Sequence, residues 1–183
     1  MARGPREEHR GHVRAGELIS SLDRFRTAQD VSRGGFDTAL RELRAGRKRS
    51  HWIWYVFPQL AGLGRSSYAV HYGLAGVEEA ADYLADPVLG PRLVEAASAV
   101  RAHVAEGKRA RLDDLMGSDV DALKLVSSMT LFAHVARTLH AADPRSLYAD
   151  MIAHSEAILA AAVAQGYVRC PYTLSHLAGG RAR

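Results

Sequence analysis

Asp86-Pro-Val-Leu-Gly-Pro-Arg-Leu-Val-Glu-Ala-Ala-Ser-Ala-Val-Arg-Ala-His-Val-Ala-Glu-Gly107 is the stretch that decides the fold class. Leu89, Leu93, Val94, Ala97, Val100 and Val104 recur at steps of three and four, the apolar stripe of a helix from about Pro87 to Glu106. Asp86 supplies a capping oxygen, Pro87 suits the first helical position, and Gly107 is a stop. The same period governs the chain downstream. Ser118-Asp-Val-Asp121 resembles a capping box with Asp in place of Glu, and opens a helix through Leu123, Leu131 and Val135 to about Leu139. Another helix opens after Asp143 and closes at Gly166, from about Pro144 to Gln165, with Leu147, Met151, Ile152, Ile158, Leu159 and Val163 expected inside.

Upstream, Glu17 to Gln29 and Phe36 to Ala45 read as a helical hairpin, broken at Ser32-Arg-Gly-Gly35 and ended by Gly46. Shorter helices follow from about Ser66 to Leu74 and from Val77 to Ala85. Trp52 to Phe57 has strong β propensity, but six residues without a partner strand make no sheet, so the segment reads as a buried helical turn or extended core piece. The expectation is an all-α chain: a compact single-domain multihelical bundle of about seven to nine helices over 17–178. Loose tails are expected at 1–16 and 179–183.

A chain of 183 residues, 48% hydrophobic and 24% charged, has the size and balance of one ordinary domain with a core. No strictly apolar stretch approaches the roughly 20 residues that cross a bilayer. The N-terminal Met1 to Gly16 is charged and leads into no apolar run, unlike a secretory signal. The reading is therefore a cytoplasmic protein with no membrane partner. Cys170 stands alone, which excludes an internal disulfide and any zinc site needing two thiolates, and no His-Glu-x-x-His is present. Neither a metal nor a cofactor is expected.

The formal charge is +4. Arg41, Arg44, Arg47, Lys48 and Arg49 against Glu42 account for all of it, so the rest of the chain is neutral. Such a field argues for a local anion site or a basic helix end answering its dipole, rather than a broad nucleic-acid surface. Glu78, Glu79, Asp82 and Asp86 form an acidic stripe that reads as a solvated face.

One segment is odd for a plain core: Leu43-Arg-Ala-Gly-Arg-Lys-Arg-Ser-His-Trp-Ile-Trp-Tyr-Val-Phe-Pro-Gln-Leu-Ala-Gly-Leu-Gly-Arg-Ser66. With Leu22-Asp-Arg-Phe-Arg-Thr-Ala-Gln-Asp30 and Leu123-Lys-Leu-Val-Ser-Ser-Met-Thr-Leu-Phe132, it resembles the family numbered 1810 among domains of unknown function. The likeness runs from about Leu22 to Val135 and fades after Leu139. It implies a compact multihelical single domain and no established activity. The label calpastatin, sometimes given to members, is set aside, because calpain inhibition is associated with long disordered repeats and this chain is well patterned.

The residues themselves suggest a pocket. His51, Gln59, Arg65 and Ser66 are interleaved with Trp52, Trp54, Tyr55 and Phe57, as in a site for a planar ligand; the plain alternative is aromatic core with satisfied polar groups. Gly62-Leu-Gly-Arg-Ser-Ser67 ahead of a helix is a candidate phosphate or carboxylate cradle, with Gly62 and Gly64 admitting an anion to backbone N–H groups, Ser66 as cap and Arg65 as fork. The alternative is a glycine turn with a serine cap. Lys124, Ser127 and Ser128 share a helix face, suiting an anion held by the ammonium and oriented by hydroxyls. Otherwise Lys124 snorkels to water and the serines bond back within the helix.

The first expectation is a site for a small anionic or nucleotide-like ligand. Arg65, Lys124, the Gly62 to Ser67 turn and Lys48 meet the anion, Trp52 or Trp54 stacks, and His51 with Gln59 orients or protonates. As an enzyme it would be a metal-independent hydrolase of a nucleotide or ADP-ribose derivative. The second is a nucleic-acid module using Arg44, Arg47, Lys48 and Arg49 beside exposed Trp52 and Trp54. The third is a protein-interaction scaffold with an apolar patch.

Overall fold

In the computed structural model, which describes residues 22–105 and 110–179, ten helices follow one another. They are α1 (Asp23–Asp30), α2 (Phe36–Arg44), α3 (Ile53–Val56), α4 (Ser67–Tyr72), α5 (Val77–Ala85), α6 (Leu89–Val104), α7 (Leu112–Met116), α8 (Asp119–Ala142), α9 (Ser146–Ala164) and α10 (Pro171–Gly179). Among the described residues the only β pairing is an isolated bridge between Leu60 and Leu74. The all-α reading holds, with more helices than the expected seven to nine. The two unforeseen ones are α7 and α10. The segments 1–16, 17–21, 106–109 and 180–183, which include the N-terminal tail, the expected helix start at Glu17 and the stop at Gly107, lie outside the described residues.

α8 is the axis. Every residue from Leu125 to Ala133 is buried, so the helix is enclosed on all sides rather than along one stripe. It packs on α9, α5, α7 and α10, while α6 lies against α9 and α2. The Ser118 hydroxyl accepts the Asp121 N–H and opens the helix where the sequence places its cap. α9 has the length and apolar composition of a bilayer-crossing helix; here Met151, Ile158, Leu159 and Ala162 are buried in the bundle. Val163, expected inside, is 58% exposed, because its neighbour Ala162 takes the inward position.

The acidic stripe is a solvated face only in part: Glu78 and Asp82 are exposed, whereas Glu79 and Asp86 are engaged. Glu79 pairs with Arg24 of α1 at 2.8 Å, and Asp86 is 6% exposed and pairs with Arg26. The Asp86 Oδ1 also accepts the N–H groups of Val88 and Leu89 at 2.9 Å, capping the turn that leads into α6. α3 is tied to the same corner: buried Gln29 and the Tyr83 hydroxyl both donate to the Tyr55 carbonyl, one of the orphan acceptors of that short helix. Asp86→Ala is expected to lower the unfolding free energy in urea by about 2 kcal/mol, and Asp86→Asn, which keeps the cap and loses the ion pair, by less. Equal losses would mean the cap contributes nothing.

Candidate functional site

The chain reverses after α2 and the Lys48 N–H donates to the Leu115 carbonyl at the end of α7, at 2.7 Å. Gly117 closes α7 at φ +77, and a Cβ there would stand 2.8 Å from the Lys48 carbonyl oxygen. This close approach delivers the Lys48 side chain, 7% exposed, to the first turn of α8. Its ammonium lies 2.6 Å from Asp121 Oδ2, while the Lys124 ammonium lies 2.8 Å from Oδ1 of the same carboxylate. Burial pushes the Asp121 carboxyl up, but hydrogen bonds and charge from Lys124 and Lys48 outweigh it and hold it below its ordinary value. Among the described residues two cations share this one anion, so the cluster there keeps one uncompensated positive charge. The Lys124 ammonium also sits 3.7 Å from the centre of the Trp54 ring.

Lys124 and Trp54 face a cleft of about 320 Å³ built from three parts of the chain. Trp54, Gln59 and Leu63 form one wall, α8 contributes Val120, Leu123, Lys124, Val126 and Ser127, and Val168, Cys170 and Pro171 close the third side. Val120, Leu123 and Val168 are exposed, a rim of large apolar side chains in water. Gln59 is held by its backbone, whose carbonyl accepts the Leu74 N–H at 2.9 Å. The Ser127 hydroxyl lies 3.1 Å from that of Thr173 in α10. Cys170 stands at the start of α10: burial would raise its thiol pKa, but hydrogen bonds with the Thr173 hydroxyl and amide and with Ser127 outweigh burial and lower it.

Four expected site residues, Trp54, Gln59, Lys124 and Ser127, are therefore brought together. The others lie elsewhere. Lys48 stands behind the cleft as the second cation on Asp121. Trp52 is fully buried with its indole N–H on Glu42 Oε2 at 2.8 Å, so it offers no stacking face. His51 and Arg65 are exposed and line no part of the cleft. The Gly62 to Ser67 turn is largely exposed, with neighbouring side chains close to its two glycines. The Tyr172 hydroxyl occupies the space beside Gly62 and donates to the Ala61 carbonyl, Gly64 rests against Ala69, and Ser66 caps α4 by accepting the Ala69 N–H. Ser128 is buried outside the lining, its hydroxyl without a hydrogen-bond partner among the described residues. Sequence reasoning did not single out Cys170, which lines the cleft, or Asp121 and Thr173, which hold the lining residues Lys124 and Ser127. The signal for Cys170 and Thr173 was Cys170-Pro-Tyr-Thr173, a helix opening on proline.

The sequence matches a family described as protein of unknown function (DUF1810) over residues 19–165. The chain belongs to the DUF1810 family. Among solved structures, the conserved hypothetical protein Rv1873 from Mycobacterium tuberculosis is similar, with a TM-score of 0.64 and 36% identity over 85% of this chain and 94% of that one. A comparison with curated proteins finds no match. The DUF1810 match extends well beyond Leu139, where the sequence likeness was expected to fade, and takes in all of α9. It includes two walls of the cleft, whereas Val168, Cys170 and Pro171 lie past its end.

Asp121→Asn strands the buried Lys48 ammonium. The expected loss is about 3 kcal/mol in urea denaturation near pH 7. Because the folded-state pKa of Asp121 is depressed, its contribution is complete above the ordinary carboxylate range and disappears as pH falls through the folded value. The gap between wild type and variant should thus shrink on acidification below about pH 4. A gap that is constant with pH would remove Asp121 from this role.

Proposed function

We propose that the cleft binds a small anion with an apolar or planar body. The observation that carries this reading is the single uncompensated positive charge of the Lys48, Asp121 and Lys124 cluster, placed at the edge of a mostly apolar recess. A buried or half-buried excess charge is costly, and one ligand anion beside Lys124 would balance it. The exposed Val120, Leu123 and Val168 would cover the ligand's body, and Ser127 and Gln59 would orient its polar groups. One excess charge supports one carboxylate or one phosphate monoester, as in a nucleoside monophosphate, rather than a polyphosphate.

Binding has more support than hydrolysis. His51 stands outside the lining and Gln59 cannot exchange a proton at neutral pH, so neither residue expected to act on a bond serves as acid or base in the recess. The nucleic-acid alternative has less support still, since Trp52 is buried and the Lys124 ammonium covers one face of Trp54.

The two tryptophans make the test clean. Titration with aromatic and aliphatic carboxylates, followed by the indole N–H resonances, is expected to move Trp54 and leave Trp52 in place. A ligand at about 100 times its Kd should add roughly 2.7 kcal/mol to stability. Lys124→Met should abolish both effects and Arg65→Gln neither. A still Trp54 resonance across the whole panel would overturn the proposal.

A further inference from the structure

The cations of the 41–50 segment are sorted by the fold. Arg44 reaches Glu95 of α6 at 2.8 Å, and Lys48 turns away to Asp121. The remaining three, Arg41, Arg47 and Arg49, line one hollow of about 270 Å³ together with Thr38, Glu42 and Ala45. Local geometry explains the gathering. Thr38, Arg41, Glu42 and Ala45 stand at helical spacings of three and four on one face of α2. Gly46 at φ +76 reverses the chain, with the Arg47 N–H returning to the Glu42 carbonyl at 3.0 Å. Glu42 then fastens the returning segment: its carboxylate accepts the N–H groups of Arg49 and Ser50, the Ser50 hydroxyl and the Trp52 indole N–H. Arg47 and Arg49 are thereby laid beside Arg41.

The electrostatics follow from the same contacts. Burial pushes the Glu42 carboxyl up, but its four donors outweigh burial and hold it ionised. Those donors also occupy it, so it forms no ion pair with the arginines around it. Among the described residues Arg41, Arg47 and Arg49 have no carboxylate partner; Arg41 donates only to the Thr38 hydroxyl, at 3.1 Å. Glu42 and the C-terminal end of α2 together contribute about −1.5 charges against three guanidinium groups, which leaves a concave site distinctly positive.

We infer that this hollow is a binding site for a dianionic phosphate group, distinct from the cleft of the proposed function. Guanidinium forks match phosphate oxygens in pairs, and three of them converging on one recess recognise a terminal phosphate better than a single diester. The chemistry is that of a phosphate monoester or of inorganic phosphate itself.

The test uses the full chain and inorganic phosphate at constant ionic strength. Because Glu42 holds the Trp52 indole N–H, occupancy of the hollow is expected to shift the Trp52 resonance and leave Trp54 unmoved, the reverse of the pattern for the cleft. Arg47→Gln or Arg49→Gln should raise the phosphate Kd about tenfold or more. Arg44→Gln, the same charge change on a residue outside the hollow, should change it less than about twofold. All three variants alter exposed side chains, and urea midpoints near wild type would establish that they fold. Lys124→Met should leave phosphate binding intact, so failure of the cleft reading does not touch this one. Equal weakening by Arg44→Gln, or no phosphate effect on Trp52, would overturn the site. Tighter binding of an RNA oligomer without terminal phosphates, with affinity falling steeply in salt, would also overturn it and assign the arginines to a nucleic-acid backbone.

Discussion

Asp121 holds two lysines from opposite directions, and the cleft depends on that arrangement. Lys48 arrives from the loop after α2, Lys124 from one turn further along α8, and both end within 2.8 Å of a single carboxylate. A buried ammonium with no partner would be driven to neutralise or unfold its surroundings. The ion pair therefore fixes the loop after α2 against the start of α8. It also sets the Lys124 ammonium over Trp54, which orients the wall opposite α8. The same cluster carries the one surplus charge from which a ligand's sign is argued.

α8 makes this possible because it is enclosed on every side from Leu125 to Ala133. Several of its polar groups meet neighbouring segments: the Thr130 hydroxyl, which donates to the Val126 carbonyl of its own helix, accepts the Cys170 N–H, Ser127 reaches Thr173 of α10, and the Met129 sulfur accepts from Ser155 of α9. A helix so enclosed is a rigid frame, and residues from its first turns keep their positions relative to the loops around them. The cleft and the arginine hollow are thus two recesses in one scaffold, reached by opposite ends of the same 43–66 segment. The first is mostly apolar with one surplus charge, and the second is cationic with an engaged carboxylate.

Much of the fold was legible. Val77–Ala85 stands as read, and Ser118 caps α8 as its spacing to Asp121 implies, because local signals determine short-range structure. Tertiary partners were not legible. Nothing near Glu79 or Asp86 announces that arginines of α1, more than fifty residues earlier, remove them from solvent. Nothing in Arg41 to Arg49 tells which cations find distant carboxylates. The candidate residues were read by chemistry, and the fold gathers some of them: Trp54, Gln59, Lys124 and Ser127 line one cleft, while the glycine turn read as a cradle has beside Gly62 the hydroxyl of Tyr172, a residue from the far end of the chain.

The most direct measurement is a double-mutant cycle between Lys48 and Asp121, using Lys48→Met, Asp121→Asn and the double variant in urea denaturation at neutral pH. If the two hold the loop to α8, their effects are coupled by about 1–3 kcal/mol and the double variant is less damaged than the single losses together imply. Additivity within about 0.5 kcal/mol would contradict the account, since independent sites behave in that way.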